Sequence, residues 1–402
     1  MKGMRALLGA LALALVSTAA PGAVAAASSA SGDDAPFGPP APASYTAAEP
    51  TARALPTLKA RRQVRGLENP WDVQPLGDGR LLITERDTAH LLLWANGSTR
   101  RVTFPTAKIW VSGETGLMSM EVDPRFARNG RFYTCSGWVK QGGGHDIRVD
   151  AWKLNDAGTR ARRVETLLSG LPTSSGRHGG CRLLIARNGA LLVGTGDAAV
   201  GTNPRDLTSL GGKTLRLDRM SGKPWPGNAF IGAANRKKRY VHTYGHRNVQ
   251  GLAQRKDGSL WSAEHGPDRD DEINRLKSGG DYGWHPVPGY NEQVPMTDDS
   301  LPGQQVNARW SSGSPTLATS GAAWVYGDKW GRLQGTLAVA ALKASRVVFM
   351  KFDRAGKFRW AKAPVKLRDF GRLRSVSVAP NRDLLITSDN DGGDAIIRVS
   401  PR

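Results

Sequence analysis

Asn188-Gly189-Ala190-Leu191-Leu192-Val193-Gly194-Thr195 sets a tight-turn dipeptide ahead of a short, almost unbroken run of apolar and β-branched residues. That is the strongest local signal for a β-hairpin. The pattern recurs in Asp78-Gly79-Arg80-Leu81-Leu82-Ile83-Thr84-Glu85, Asn129-Gly130-Arg131-Phe132-Tyr133-Thr134 and Asp257-Gly258-Ser259-Leu260-Trp261-Ser262. It returns in Gln334-Gly335-Thr336-Leu337-Ala338-Val339-Ala340 and Asn381-Arg382-Asp383-Leu384-Leu385-Ile386-Thr387-Ser388. Successive starts lie 51, 59, 69, 77 and 47 residues apart, the size of a propeller blade with variable loops. No long stretch carries helical periodicity. Radial repetition protects the edges of such sheets, so the pattern predicts an all-β fold, a six-bladed β-propeller, over 57–402. A β-sandwich with coincidental turns is the competing arrangement. The six runs are read as the inner strands of the blades, whose ends would bring residues distant in sequence to one central mouth.

Ahead of this region, residues 1–27 read as an export signal: Lys2 and Arg5, an apolar run from Ala6 to Val16, then small residues to Ala27. The run is too short to span a bilayer, so a secreted, soluble mature protein is expected. Residues 28–56, rich in Ala, Pro, Ser and Thr, read as a flexible leader. The formal charge is +21, from 56 Lys and Arg against 35 Asp and Glu. That balance favours anionic partners or simply keeps an exported surface soluble. No basic stripe interleaved with aromatics argues for nucleic acid. The two cysteines, Cys135 and Cys181, would meet an oxidising compartment, where pairing is the expected state.

Candidate chemistry stands at the ends of the repeated runs. His178 precedes the third run and Asp197 follows it, a pair suited to a general base and its orienting carboxylate. Arg247 and Asn248 precede the fourth run, Lys343 ends the fifth, and Arg372 and Arg374 precede the sixth. Gathered at one mouth, these groups would form a positive cup for a ligand bearing several carboxylates. The acidic run Asp268-Arg269-Asp270-Asp271-Glu272 offers hard oxygen ligands, which favour calcium over zinc, or else forms a solvated loop. No His-Glu-x-x-His occurs, and Gly211-Gly212-Lys213-Thr214 lacks the upstream glycine of a phosphate loop.

From Asn69 to the end, these residues resemble the soluble glucose and aldose sugar dehydrogenases that use pyrroloquinoline quinone (PQQ), whose members are six-bladed propellers. The likeness runs through Asn69-Pro70-Trp71-Asp72, Gly113-Glu114-Thr115-Gly116-Leu117-Met118, the His178 segment, Gly245-His246-Arg247-Asn248, Glu264-His265-Gly266-Pro267, Tyr282-Gly283-Trp284, Leu342-Lys343 and Arg372-x-Arg374. It implies an aldose substrate, a soluble electron acceptor, PQQ and calcium. His178 would take the proton of the sugar C1 hydroxyl, with Asp197 the carboxylate beside it. Arg247 and Asn248 would hold the quinone oxygens, Glu114 would lie near the cofactor, and Lys343, Arg372 and Arg374 would bind its carboxylates. The carbonyls of Gly266 and Pro267 would hold the catalytic calcium, and Glu272 with the Tyr282 carbonyl a structural one. Three positions depart from the family. Arg177 stands where glucose-using members carry Asp, Cys181 replaces a frequent Gly and is consistent with a bridge to Cys135, and Ser314 replaces an aromatic that covers the sugar, leaving Trp310 as its candidate substitute. The competing functions are capture of an acidic glycan at the positive mouth without chemistry, and calcium-dependent lactone hydrolysis.

Overall fold

The computed structural model describes residues 55–402. The segment read as an export signal lies outside the described residues, as does the leader up to residue 54. Strand β1 (Leu58–Leu67) comes first, and the first complete blade follows it as β2 (Pro70–Pro75), β3 (Leu81–Glu85), β4 (Leu91–Ala95) and β5 (Ser98–Arg101). The second blade is β6 (Leu117–Val122), β7 (Arg131–Val139), β8 (His145–Leu154) and β9 (Ala161–Leu171). The third is β10 (Gly180–Ile185), β11 (Ala190–Thr195), β12 (Lys213–Asp218) and β13 (Val241–Tyr244). The fourth is β14 (Val249–Gln254), β15 (Leu260–Glu264), β16 (Glu272–Arg275) and β17 (Trp310–Ser311). The fifth is β18 (Thr319–Trp324), β19 (Thr336–Ala341), β20 (Arg346–Phe352) and β21 (Phe358–Lys362). The sixth combines β22 (Leu373–Val378), β23 (Leu384–Ser388) and β24 (Asp394–Pro401) with β1, so the two ends of the described chain close one sheet. All six sheets are antiparallel and four-stranded, and the expected six-bladed propeller is the observed fold.

The repeated runs are not the inner strands. They are β3, β7, β11, β15, β19 and β23, each second in its sheet, and the inner positions belong to β2, β6, β10, β14, β18 and β22. These inner strands pack on one another around a closed ring. The physical reason is burial on two faces: a second strand lies between its neighbouring blades, so β11 and β19 are buried at every residue and read as unbroken apolar runs. Inner strands instead turn polar residues towards the axis. Arg182 there donates to the Asp72 carboxylate at 2.9 Å and to the Gln250 carbonyl at 2.8 Å, and the Ser119 hydroxyl donates to Asp72 at 2.9 Å. Backbones approach so closely that a Cβ at Gly251 would lie 2.3 Å from the Ser320 carbonyl oxygen.

Adjacent antiparallel strands place the start of each inner strand and the end of its second strand on one face, while the Asn-Gly and Asp-Gly turns close on the other. Every inner strand slips register against its second strand near that start. Such bulges bend a strand and re-aim its side chains, and all six lie at the same end of the ring. Cys135 on β7 and Cys181 on β10 form the expected disulfide, with Cα atoms 5.5 Å apart, and tie the second blade to the third.

Candidate active site

His178 lies at the end of the ring where the inner strands start, just before β10, and is almost fully buried. Its φ is +54°, a conformation uncommon outside glycine and one that clusters at functional positions. The chain can turn this way because Gly196 lies beneath it: a Cβ there would meet the His178 carbonyl oxygen at 1.9 Å. Nδ1 of His178 faces Asp197 Oδ1 at 2.8 Å and the Tyr290 hydroxyl at 2.9 Å. Asp197 is saturated with donors, accepting also from the Tyr290 hydroxyl at 2.7 Å, Trp284 Nε1 at 2.8 Å and the Ala199 N–H at 2.8 Å. A carboxylate so occupied fixes the proton of the imidazole on Nδ1 and leaves Nε2 with its lone pair. Burial and the Asp197 charge push the Tyr290 hydroxyl far above the ordinary phenol range, so it serves as a donor.

Arg247 and Asn248 adjoin this pair through the backbone, since the Asp197 N–H donates to the Arg247 carbonyl at 2.8 Å. Asn248 Nδ2 donates to Glu114 Oε2 at 2.9 Å, while its Oδ1 accepts from the Gly180 N–H at 3.1 Å and Gln250 Nε2 at 3.0 Å. The second, third and fourth blades therefore fix one amide. Arg247 packs over Trp284, donates to the His265 carbonyl at 3.2 Å and ion-pairs with Glu292. Its Nε and His265 Nε2 are buried without a partner among the described residues, and burial pushes the His265 imidazole down to about 3. Buried polar atoms without partners are what a polar ligand at the mouth would satisfy.

The remaining cations share this face, but two of the four that make up the positive cup are neutralised. Arg374 is buried in an ion pair with Asp389 at 2.6 Å, and Arg247 is held by Glu292. Arg372 donates to the Asp389 carbonyl at 3.0 Å, and Lys343 reaches only Thr316 Oγ1, at 3.5 Å. Both are exposed, make no ion pair among the described residues, and have no direct contact with His178. Arg177 is also paired, its guanidinium binding both oxygens of Glu292 at 2.8 and 2.7 Å.

The acidic run does not act as one cluster. Asp268 and Arg269 pair in solvent, and Asp270 accepts from the Ser311 hydroxyl. Asp271 accepts the Gly266 N–H at 3.0 Å and the Leu317 N–H at 2.7 Å, so it fixes the Gly266-Pro267 turn, and burial pushes it up to about 6. Glu272 is raised to about 8 by burial and by Glu264 on the paired strand. Tyr282 lies close by, stacked on His246, which itself bonds Glu264 at 2.8 Å. Among the described residues no three His, Cys, Asp or Glu side chains surround a common metal position. Trp310 is not a sugar cover, because β17 buries it against the core between the fourth and fifth blades. Lys213 binds no phosphate either, since its ammonium is capped by the carbonyls of Asn203, Pro204 and Gly211.

The family model for glucose / sorbosone dehydrogenase matches residues 67–398. The chain belongs to this family. Aldose sugar dehydrogenase YliI of Escherichia coli is 30% identical over 353 residues, covering 84% of this chain and 91% of that protein. Among solved structures, the apo aldose sugar dehydrogenase of Escherichia coli superposes with a TM-score of 0.76 at 27% identity, over 86% of this chain and all of that one. The PQQ-bound aldose sugar dehydrogenase of Streptomyces coelicolor does so at 0.71 and 25% identity, over 86% and 100%. In this glucose/sorbosone dehydrogenase family member, three site residues escaped sequence reasoning: Trp284 as a partner of Asp197, Tyr290 and Glu292. All lie on residues 276–309, between β16 and β17. A connection that long without strands is usually functional, and its length was the available signal.

Proposed function

We propose that the protein is a PQQ-dependent aldose dehydrogenase that oxidises the C1 hydroxyl of a sugar to the lactone and passes the electrons to a soluble acceptor. One observation carries the reading: a buried imidazole, tautomer fixed by Asp197 and Tyr290, beside an Arg-Asn pair whose Arg247 Nε is buried without a partner among the described residues. His178 Nε2 would take the hydroxyl proton, and Asp197 would stabilise the imidazolium that results. Arg247 and Asn248 would face the developing negative charge of the cofactor. When bound, the quinone supplies the acceptor for the C1 hydride. Lys343 and Arg372, free of ion pairs among the described residues, suit its carboxylates. Calcium would be held by the Gly266 and Pro267 carbonyls, which need no carboxylate cluster, and would act as a Lewis acid. Glu272 and the Tyr282 carbonyl would take a second, structural ion. Family membership supports the activity, and the N-terminal sequence pattern supports export.

Purified protein is loaded with PQQ and calcium, and dye reduction is followed across a panel of aldoses. Turnover on at least one sugar, lost on chelation of calcium, is expected. Bound cofactor with no turnover on any aldose overturns the assignment, and lactone hydrolysis without quinone would replace it.

A further inference from the structure

Among the described residues, a dense cluster of unpaired positive charge lies on the flank of the second blade. A groove of about 1090 Å³ runs between the 103–108 connector and strands β8 and β9. It is lined by six cations, Lys108, Lys140, Arg148, Arg160, Arg162 and Arg163, and by no carboxylate. Two of the six have partial counter-charges behind the wall, Arg148 with Asp146 at 2.8 Å and Arg163 with buried Asp150 at 3.9 Å. The other four are exposed and make no ion pair among the described residues. At the mouth, by comparison, Arg247, Arg374 and Arg177 each have an acidic partner, and Lys343 and Arg372 are the cations without one among the described residues named there.

We propose that this groove binds an anionic polymer of sugar or polyol units that carries phosphate or carboxylate along its backbone. Clustered cations without internal partners attract a polyanion and release its counterions on binding. Single-stranded nucleic acid fits less well, because it needs open aromatic faces on which bases stack. The groove offers few of them: Trp138 is buried and covered by the guanidinium groups of Arg148 and Arg163 at 5.6 and 5.0 Å, Trp152 is buried, and the half-buried Phe104 packs on Trp152 with ring centroids 4.4 Å apart. The site is separate from the dehydrogenase mouth, so a bound polymer would hold the protein at a carbohydrate surface while leaving the mouth open.

The purified full chain is titrated with poly(glycerol phosphate), polygalacturonate and a single-stranded oligonucleotide of matched charge, at two salt concentrations. Binding to at least one of the two non-nucleic polymers, weaker at higher salt, is expected. The two polymers distinguish phosphate from carboxylate as the recognised group. A variant with Lys108→Gln, Lys140→Gln, Arg160→Gln and Arg162→Gln should lose at least tenfold in affinity. A control with Arg236→Gln, Lys237→Gln, Lys366→Gln and Arg368→Gln should lose less than twofold. Thermal unfolding establishes that both are folded, and unchanged dehydrogenase turnover separates this site from the mouth. Equal losses in the two variants, no binding to either polymer, or tighter binding of the oligonucleotide overturns the proposal.

Discussion

His178 is held on one side only, and that asymmetry predicts how its variants behave. His178→Ala removes the base and should lower kcat by about 10²–10⁴-fold, while PQQ affinity measured by titration stays within a few fold. Tyr290→Phe deletes one donor to Asp197 without changing shape. A loss of about tenfold in kcat with little change in KM for the sugar is expected, because the hydroxyl acts on the base and not on the substrate. His242 makes one contribution to the pH dependence of stability. It is buried, both ring nitrogens lack partners among the described residues, and burial, with Arg216 and His246, pushes it down to about 3. The unfolded chain takes up this proton below about 6.5 and the folded one does not. The His242 contribution to stability therefore falls as pH drops through that window, by about 2 kcal/mol between pH 7 and 5, opposite in sign to that of the raised Glu272 carboxyl. His242→Leu should lose about that much less in denaturant titrations at the two pH values.

Two elements set the geometry around these residues. The disulfide joins β7 to β10 close to His178 and closes a loop of 46 residues. Replacing both cysteines by Ala should cost about 4 kcal/mol in denaturant unfolding, in the chain-entropy account. The 276–309 connection brings Trp284, Tyr290 and Glu292 onto residues of the third and fourth blades. Glu292 bridges Arg177 and Arg247, occupying a guanidinium that an anionic cofactor would use. Glu292→Gln should tighten PQQ binding several fold and lower the melting temperature of the cofactor-free protein, and weaker binding instead would mean that Glu292 places Arg247 for the cofactor. Local sequence shows that this connection is long. It does not show which blades it crosses, because the side chains of Trp284, Tyr290 and Glu292 bond to residues 45 to 115 positions away.

At the scale of the molecule, the ring is closed by β1 pairing with β24. Deleting Leu58–Leu67 should expose the edge of β24 and abolish cooperative unfolding, as followed by circular dichroism. The blade count was legible because each second strand is buried on both faces, which forces an unbroken apolar run after a turn. Which strand lies innermost was not legible, since the inner strands carry polar residues such as Asp72, Arg182 and Gln250 that find one another only around the axis. The candidate base, its carboxylate and the Arg-Asn pair could be read from their places at strand ends. Their electrostatic state could not. Sequence shows how many charges exist, while the partner that cancels each one is set by distance in three dimensions: Asp389 for Arg374, Glu292 for Arg247 and Arg177. The amino-acid sequence by itself determined six sheets and the residue types at their ends, because burial and turn geometry act locally. Only the tertiary structure decided which cations remain free, because Coulomb pairing depends on approach across blades that the chain order does not encode.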